Sequence, residues 1–346
     1  MKAAVLGSPI EHSLSPVLHR AGYDALGLTD WSYQRHRVEE AELAGFVAGL
    51  DDTWRGLSCT MPLKRAVLRV AVQVSPLAAR AGAGNTLLRR PDGGWDADNT
   101  DVGGLVDALA PHWQGWGSAA VLGAGATARS ALLALESLGA GSATVYARDP
   151  AKVADLVAWA GRAEVSVAVT PAELADWSRG AEPAVLSTLP PVTGIEAGLT
   201  ERTGLLFDAV YADWPTPLAR AATAAGLTVV GGLDLLVHQA ARQFELFTGH
   251  PAPLAAMLAA GHAALGHGDG RPLSLSKGSV GHGDGSGVPP SHGGLGHELR
   301  HHRGLGPGDD RSLSLSKGSG VPNQPENRPP VQSEPENRPP LREGDS

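Results

Sequence analysis

A single cysteine, Cys59, stands in the 346 residues, which excludes an intramolecular disulfide framework and fits a reducing compartment. No block of Lys and Arg offers a phosphate-tracking surface, and a formal charge of -8 argues against a general nucleic-acid binder. Long apolar runs are missing too. The stretch Met1-Lys2-Ala3-Ala4-Val5-Leu6 breaks at Gly7-Ser8-Pro9, too short for a signal-peptide core or a membrane span. The expected location is the cytoplasm, with no membrane partner.

What the chain has is alternation. Short apolar runs alternate with longer Ala/Leu-rich segments of helical spacing, the pattern of a parallel α/β protein. A strand at Ala3 to Leu6 leads to a helix that Ser15 caps and Pro16 opens. A strand at Tyr33 to Val38, a helix from Glu39 to Leu50, a strand at Gly56 to Thr60 and a helix opened by Pro62 follow. Thr86 to Arg90 and Gly94 to Ala97 form a hairpin around Pro91-Asp92-Gly93.

From Asp101 a second unit begins. A bridging helix, Val102 to Ala110, precedes strands at Ser118 to Leu122, Ala143 to Ala147, Val165 to Val169, Ala184 to Ser187, Leu205 to Val210 and Leu227 to Val230. This spacing is that of a doubly wound sheet. The helices Leu233 to Thr248 and Leu254 to Leu265 close the folded part. The domains expected are 1–100, completed by helices in 233–265, and 101–232. The 45 Gly and 26 Pro of the chain are unevenly spread, and from 266 to 346 Leu-Ser-Leu-Ser-Lys-Gly-Ser and Pro-Glu-Asn-Arg-Pro-Pro each recur, so a disordered tail is expected.

Gly123-Ala124-Gly125-Ala126-Thr127-Ala128 follows a strand and opens a helix, as G-x-G-x-x-A of a dinucleotide site requires. Gly123 permits the tight turn, Gly125 lets the backbone approach a pyrophosphate, and Ala128 lets helix and strand pack closely. Ala124 and Ala126 complete the loop, with the phosphates on the helix N-terminus. At the end of the next strand, Ala147 stands where NAD enzymes carry an acid. Arg148 and Lys152 are placed to hold a 2′-phosphate, which favours NADP, whereas Asp149 one register away would favour NAD.

The first domain narrows the substrate. Gly7-Ser8-Pro9-Ile10-Glu11-His12-Ser13-Leu14-Ser15-Pro16 resembles the signature of the shikimate dehydrogenase family. Thr60-Met61-Pro62-Leu63-Lys64, Gly84-Asn85-Thr86 and Asp98-Asn99-Thr100-Asp101 resemble its next motifs in order. Asp208-Ala209-Val210-Tyr211 to Leu218, and Gly232 to Gln239, resemble its last two. The resemblance spans Met1 to Leu265 and implies an N-terminal α/β substrate domain beside a Rossmann-type NADP domain. It also implies reduction of 3-dehydroshikimate on the route to chorismate and the aromatic amino acids. It places Ser13 and Ser15 at the substrate carboxylate, Thr60, Asn85 and Gln239 at its hydroxyls, and Tyr211 beside the cleft. Lys64 and Asp101 would be the catalytic pair. Two serine hydroxyls at a helix start do suit a small carboxylate. Lys64 in a first helical turn would feel a dipole that disfavours its ammonium, with Asp101 opposing that. Outside the motifs, Asp101 also reads as a helix N-cap and Lys64 as a solvated lysine.

Three positions depart from the family. Ser58 replaces a common Asn, Asp234-Leu235 replaces Gly-Met, and Ala147-Arg148-Asp149 replaces Asn-Arg-Thr. They leave open a quinate or aminoshikimate dehydrogenase using NAD or NADP; separate rivals are a non-catalytic shikimate-binding regulator, which an intact Lys64 and Asp101 argue against, and an enzyme tethered through its Pro-rich tail. A homodimer is compatible with all of these. His297-Glu298-Leu299-Arg300-His301 fits H-E-x-x-H but lacks the apolar stripe of a packed helix, so no metal is expected.

Overall fold

The computed structural model describes residues 1–179, 182–190 and 194–266. The expectations for the tail beyond Gly266, with His297 to His301, fall outside these residues. In chain order the first lobe runs β1 (Lys2–Gly7), α1 (Ser15–Leu26), β2 (Ser32–Arg37), α2 (Leu43–Ala48), β3 (Trp54–Cys59), α3 (Val67–Val70), β4 (Gln73–Val74), α4 (Pro76–Ala81), β5 (Thr86–Arg89) and β6 (Trp95–Asp98). Its sheet has the order β2-β1-β3-β5-β6-β4, with β2 and β3 parallel to β1 and the hairpin β5-β6 antiparallel. Strand β1 is buried on both faces, which explains its unbroken apolar run. Ala4 and Leu6 face Leu57 and Leu87 in one cluster, while Ala3 and Val5 face Leu18, Val237 and Phe244 in the other.

Helix α5 (Thr100–Leu109) crosses to the second lobe: β7 (Ser118–Leu122), α6 (Ala126–Ser137), β8 (Ser142–Ala147), α7 (Pro150–Arg162), β9 (Ala168–Glu173), β10 (Ala184–Ser187), β11 (Leu205–Asp208), α8 (Pro217–Ala224) and β12 (Thr228–Gly231). The pairings are parallel throughout, in the order β12-β11-β10-β7-β8-β9. The order reverses between β7 and β10, the switch point at which such sheets hold ligands. Helices α9 (Gly232–Thr248) and α10 (Leu254–Ala264) return to the first lobe. Close contact is possible because two glycines leave room. A Cβ on Gly104 of α5 would lie 2.8 Å from the Gln239 backbone nitrogen, and one on Gly56 would lie 2.0 Å from the Phe247 ring. Phe244 and Phe247 of α9 are buried, each stabilising the packing by about 2 kcal/mol.

Of the elements the sequence predicts, three are displaced by several residues, each for a local reason. Helix α2 starts at Leu43, not Glu39, because the Glu42 carboxylate accepts from the Glu39 N–H at 2.8 Å and closes a turn there. Strand β9 starts at Ala168, not Val165, since the Val165 N–H still bonds Ala160 O at the end of α7. Pro62 opens no helix: residues 61–66 are successive turns, and the helix is the short α3.

A clasp joins the lobes away from these helices. Arg80 of α4 donates to both oxygens of Glu136 in α6, at 2.6 and 2.8 Å, and to the carbonyls of Ala163 and Glu164. In return the Trp159 indole donates to Arg80 O at 2.9 Å.

Candidate active site

Between the lobes lies a cleft of about 320 Å³. Ser13, Ser15, Thr60, Lys64, Asn85, Asp101, Tyr211 and Gln239, which come from six separated stretches of sequence, all line it. Thr127 of the nucleotide helix lines it as well, so both candidate sites open on one space.

Lys64 and Asp101 meet directly, Nζ donating to Oδ2 at 2.7 Å. Asp101 can do this because it does not cap its helix. The N-cap of α5 is Asn99, whose side-chain oxygen accepts from the N–H groups of Asp101 and Val102 at 3.0 and 3.3 Å. The second Asp101 oxygen accepts from Asn85 Nδ2 at 2.9 Å. Lys64 lies in the turns that precede α3 and not in the first turn of a helix, and its ion-pair partner is Asp101. Asn85 is nearly enclosed, its amide reaching Thr100 and Gln239 Oε1 as well. Gln239 is oriented in turn by its own Nε2, which donates to Leu236 O at 2.8 Å.

Ser15 does not cap α1 as expected. Ser15 is the first residue of α1 and Leu14 takes the N-cap position without a side-chain bond, so the Ser15 hydroxyl is not a cap. Ser13 Oγ instead accepts from the Ser15 N–H at 3.3 Å, and both Arg35 Nε and Nη2 donate to Ser13 O. Tyr211 is half-buried, and that burial raises its hydroxyl pKa.

At the switch point, Gly123 has φ +107°, a conformation that strongly favours glycine, and a Cβ there would lie 2.5 Å from Thr188 Oγ1 of the β10 end. Among the described residues, nothing lies within 4 Å of where a Cβ on Gly125 would stand. No side chain caps α6, Ala124 and Ala126 flank that open space, and Ala128 is fully buried against the sheet. This is a cradle with free backbone donors, and it fits the pyrophosphate of a dinucleotide. At the end of β8, Asp149 caps α7 by accepting from the Ala151 N–H at 3.0 Å. Arg148 and Lys152 are exposed, with no acidic partner among the described residues. The register that would favour NAD is thus occupied by a helix cap.

Sequence alone passed over several groups here. Gln243 lines the cleft one turn beyond Gln239, a spacing of four that could have revealed it. Tyr33, on β2 and so separated from Ser58 of β3 by strand β1, bonds Ser58 through its hydroxyl, with nothing in its pattern to mark it. Asp234, one of the departures from the family, accepts from the Gly231 N–H at 3.1 Å in a capping role, and its burial raises its pKa. Leu235 faces the cleft.

The geometry has counterparts. Residues 5–87 match the family model described as the shikimate dehydrogenase substrate binding domain, and residues 232–260 that of the shikimate 5'-dehydrogenase C-terminal domain. The shikimate dehydrogenase (NADP(+)) of Synechococcus sp. (strain JA-3-3Ab) is 34% identical over 261 residues, 71% of this chain and 87% of that protein. The chain belongs to the shikimate dehydrogenase family. It is an oxidoreductase with the family's two-lobed fold. The crystal structure of Mycobacterium tuberculosis shikimate dehydrogenase is 44% identical with a TM-score of 0.70, covering 76% of this chain and 99% of its own. The shikimate 5-dehydrogenase of Thermus thermophilus, in complex with NADP(H) and shikimate, is 32% identical with a TM-score of 0.68, covering 77% and 100%.

Proposed function

We propose that the chain interconverts 3-dehydroshikimate and shikimate with NADP as its cofactor. The observation that carries this reading is the Lys64–Asp101 pair, 2.7 Å apart, in a cleft that also exposes the first turn of the nucleotide helix. Ser13 and Ser15 bind the substrate carboxylate. Thr60, Asn85 and Gln239 bind its hydroxyls, and Tyr211 closes the side of the ring. Gly123, Ala124, Gly125 and Ala126 take the pyrophosphate, Ala128 allows the close approach of α6, and Arg148 with Lys152 takes the 2′-phosphate.

NADPH supplies the hydride when bound. Lys64 delivers a proton from Nζ to the ring carbonyl oxygen in reduction and recovers it from the hydroxyl in oxidation. Asp101 fixes the ammonium through Oδ2, and Asn85 keeps that carboxylate from rotating by holding Oδ1. The enclosing lobes orient the two rings, which is where much of the rate gain of such a reaction arises.

The test is to follow nicotinamide reduction by purified full-length protein with shikimate or quinate, and with NADP or NAD. Turnover with shikimate and NADP, lost in a folded Lys64→Ala variant, is the expected result. Preference for quinate or NAD would change the substrate or cofactor assigned. Shikimate binding without turnover would make the protein a metabolite sensor.

A further inference from the structure

Ser58 is buried in β3, at the cleft end of a hydrogen-bonded relay. Four short contacts define it: Tyr33 OH to Ser58 Oγ at 2.6 Å, Ser58 Oγ to Gln243 Oε1 at 2.6 Å, and Gln243 Nε2 to Asn85 O at 3.0 Å and Thr86 Oγ1 at 2.9 Å. Tyr33 and Gln243 are fully buried, while Ser58 and Gln243 both line the cleft wall.

The proton positions follow by elimination. Asn85 O is a backbone carbonyl and can only accept, so the Gln243 amide must present its nitrogen there and its oxygen to Ser58. Thr86 gives its own hydroxyl proton to Asn85 Oδ1 at 2.8 Å, and therefore accepts the second Nε2 hydrogen. An oxygen–oxygen contact of 2.6 Å needs a proton between the atoms, and against Gln243 Oε1 that proton can come only from Ser58. Ser58 has then no proton left for Tyr33, so Tyr33 donates to Ser58. One lone pair on Ser58 Oγ remains for the cleft.

We infer that Gln243 is a positioning residue that makes Ser58 an acceptor-only group toward the cleft, so that this wall selects a substrate bearing a hydroxyl donor at that point. The inference rests on the proposed shikimate activity, since shikimate offers two ring hydroxyls besides the one oxidised. A serine whose proton is free can serve either a donor or an acceptor; here the buried amide removes that choice. A ligand group that can only accept would face a lone pair and lose a hydrogen bond, and a site built this way discriminates strongly.

The experiment compares kcat/KM for shikimate with that for two analogues, each with one non-reacting hydroxyl replaced by fluorine, using full-length protein and NADP. Fluorine is close in size to hydroxyl but cannot donate. At one ring position the wild-type protein should prefer shikimate by at least about tenfold, and Ser58→Ala should reduce that preference to about the level of a bystander position. Tyr33→Phe should keep it, because Ser58 still gives its proton to Gln243. Gln243→Met should erase most of it by releasing the Ser58 hydroxyl. Should Gln243→Met fail to fold, the Ser58→Ala comparison decides alone. Equal preference ratios in wild type and Ser58→Ala at both positions would overturn the inference while leaving the shikimate activity in place. Absence of any shikimate turnover or binding in the wild type would overturn the activity and this inference together.

Discussion

Asn85 Nδ2 lies 2.9 Å from the Asp101 oxygen that Lys64 does not use, so one carboxylate is held from two sides by groups of different charge. An amide and an ammonium sharing a carboxylate fix it in both rotation and translation. The pair is also well shielded, with the Lys64 and Asp101 side chains 24% and 11% exposed. Lys64→Ala should therefore lower kcat by roughly 10²–10⁴-fold with a much smaller change in shikimate KM. Steady-state kinetics beside a circular dichroism spectrum check this, and unchanged kcat would remove Lys64 from the chemistry.

Asn99→Ala tests a different layer. It deletes the α5 cap and a bond from Asn99 Nδ2 to Ala83 O at 2.9 Å. A loss of about 1–2 kcal/mol in urea unfolding is expected. Because Asp101 is the neighbouring N–H donor to that cap, kcat should fall as well. A stability loss with full kcat would show that the Asp101 position does not depend on its cap.

The two loop glycines should separate in their effects. Gly125→Ala meets no atom of the described residues within 4 Å, so its melting temperature should match the wild type while NADP affinity drops by about tenfold or more. Gly123→Ala forces a Cβ against Thr188 at φ +107° and should lower both stability and affinity. Differential scanning fluorimetry with and without NADP distinguishes these outcomes.

At the end of β8 the expected division is between cofactor choice and stability. Arg148→Ala should raise KM for NADP about tenfold and leave KM for NAD nearly unchanged. Asp149→Ala should instead cost about 1 kcal/mol by uncapping α7, without altering the NADP to NAD ratio. A changed ratio in Asp149→Ala would restore the ribose reading of that residue.

The clasp predicts a pH dependence. Bonding to Arg80 lowers the Glu136 carboxyl from 4.5 to about 2. A depressed native pKa contributes stability above the unfolded value and loses it as pH falls through the folded one. The stability gap between wild type and Glu136→Gln should thus be full above about pH 5 and shrink as pH falls toward 2. Urea midpoints measured across that range check it, and a gap independent of pH would mean that Glu136 is not ionised in the clasp.

The doubly wound sheet was readable because its strands are short apolar runs, and β7 emerged with the bounds expected, Ser118–Leu122. Strand β9 was displaced because Pro171 and Glu173 dilute its pattern on a sheet edge, where such residues are tolerated. Helices α4 and α8 were passed over since each is brief and Ala-rich, with a partner face supplied by distant chain. Within the cleft, Lys64, Asp101 and the serines were legible as motifs. Their hydrogen-bond roles were not, because capping at Ser15 and Asp101 depends on where a helix begins to within a single residue. Tyr33 and Gln243 bond to Ser58 from distant elements, and such pairings arise from packing that no local spacing encodes.

Ser58 and Gln243 are bonded across 185 positions of sequence, and α9 supplies Gln239 to the same wall. During synthesis the first lobe can pair its strands, and the second can form around its own sheet, long before α9 leaves the ribosome. Until then Asn85 lacks two of its neighbours and the wall behind the ring is missing. The cleft wall is therefore completed only once α9 is made, and a chain cut before Gly232 should retain a nucleotide cradle yet fail to bind shikimate.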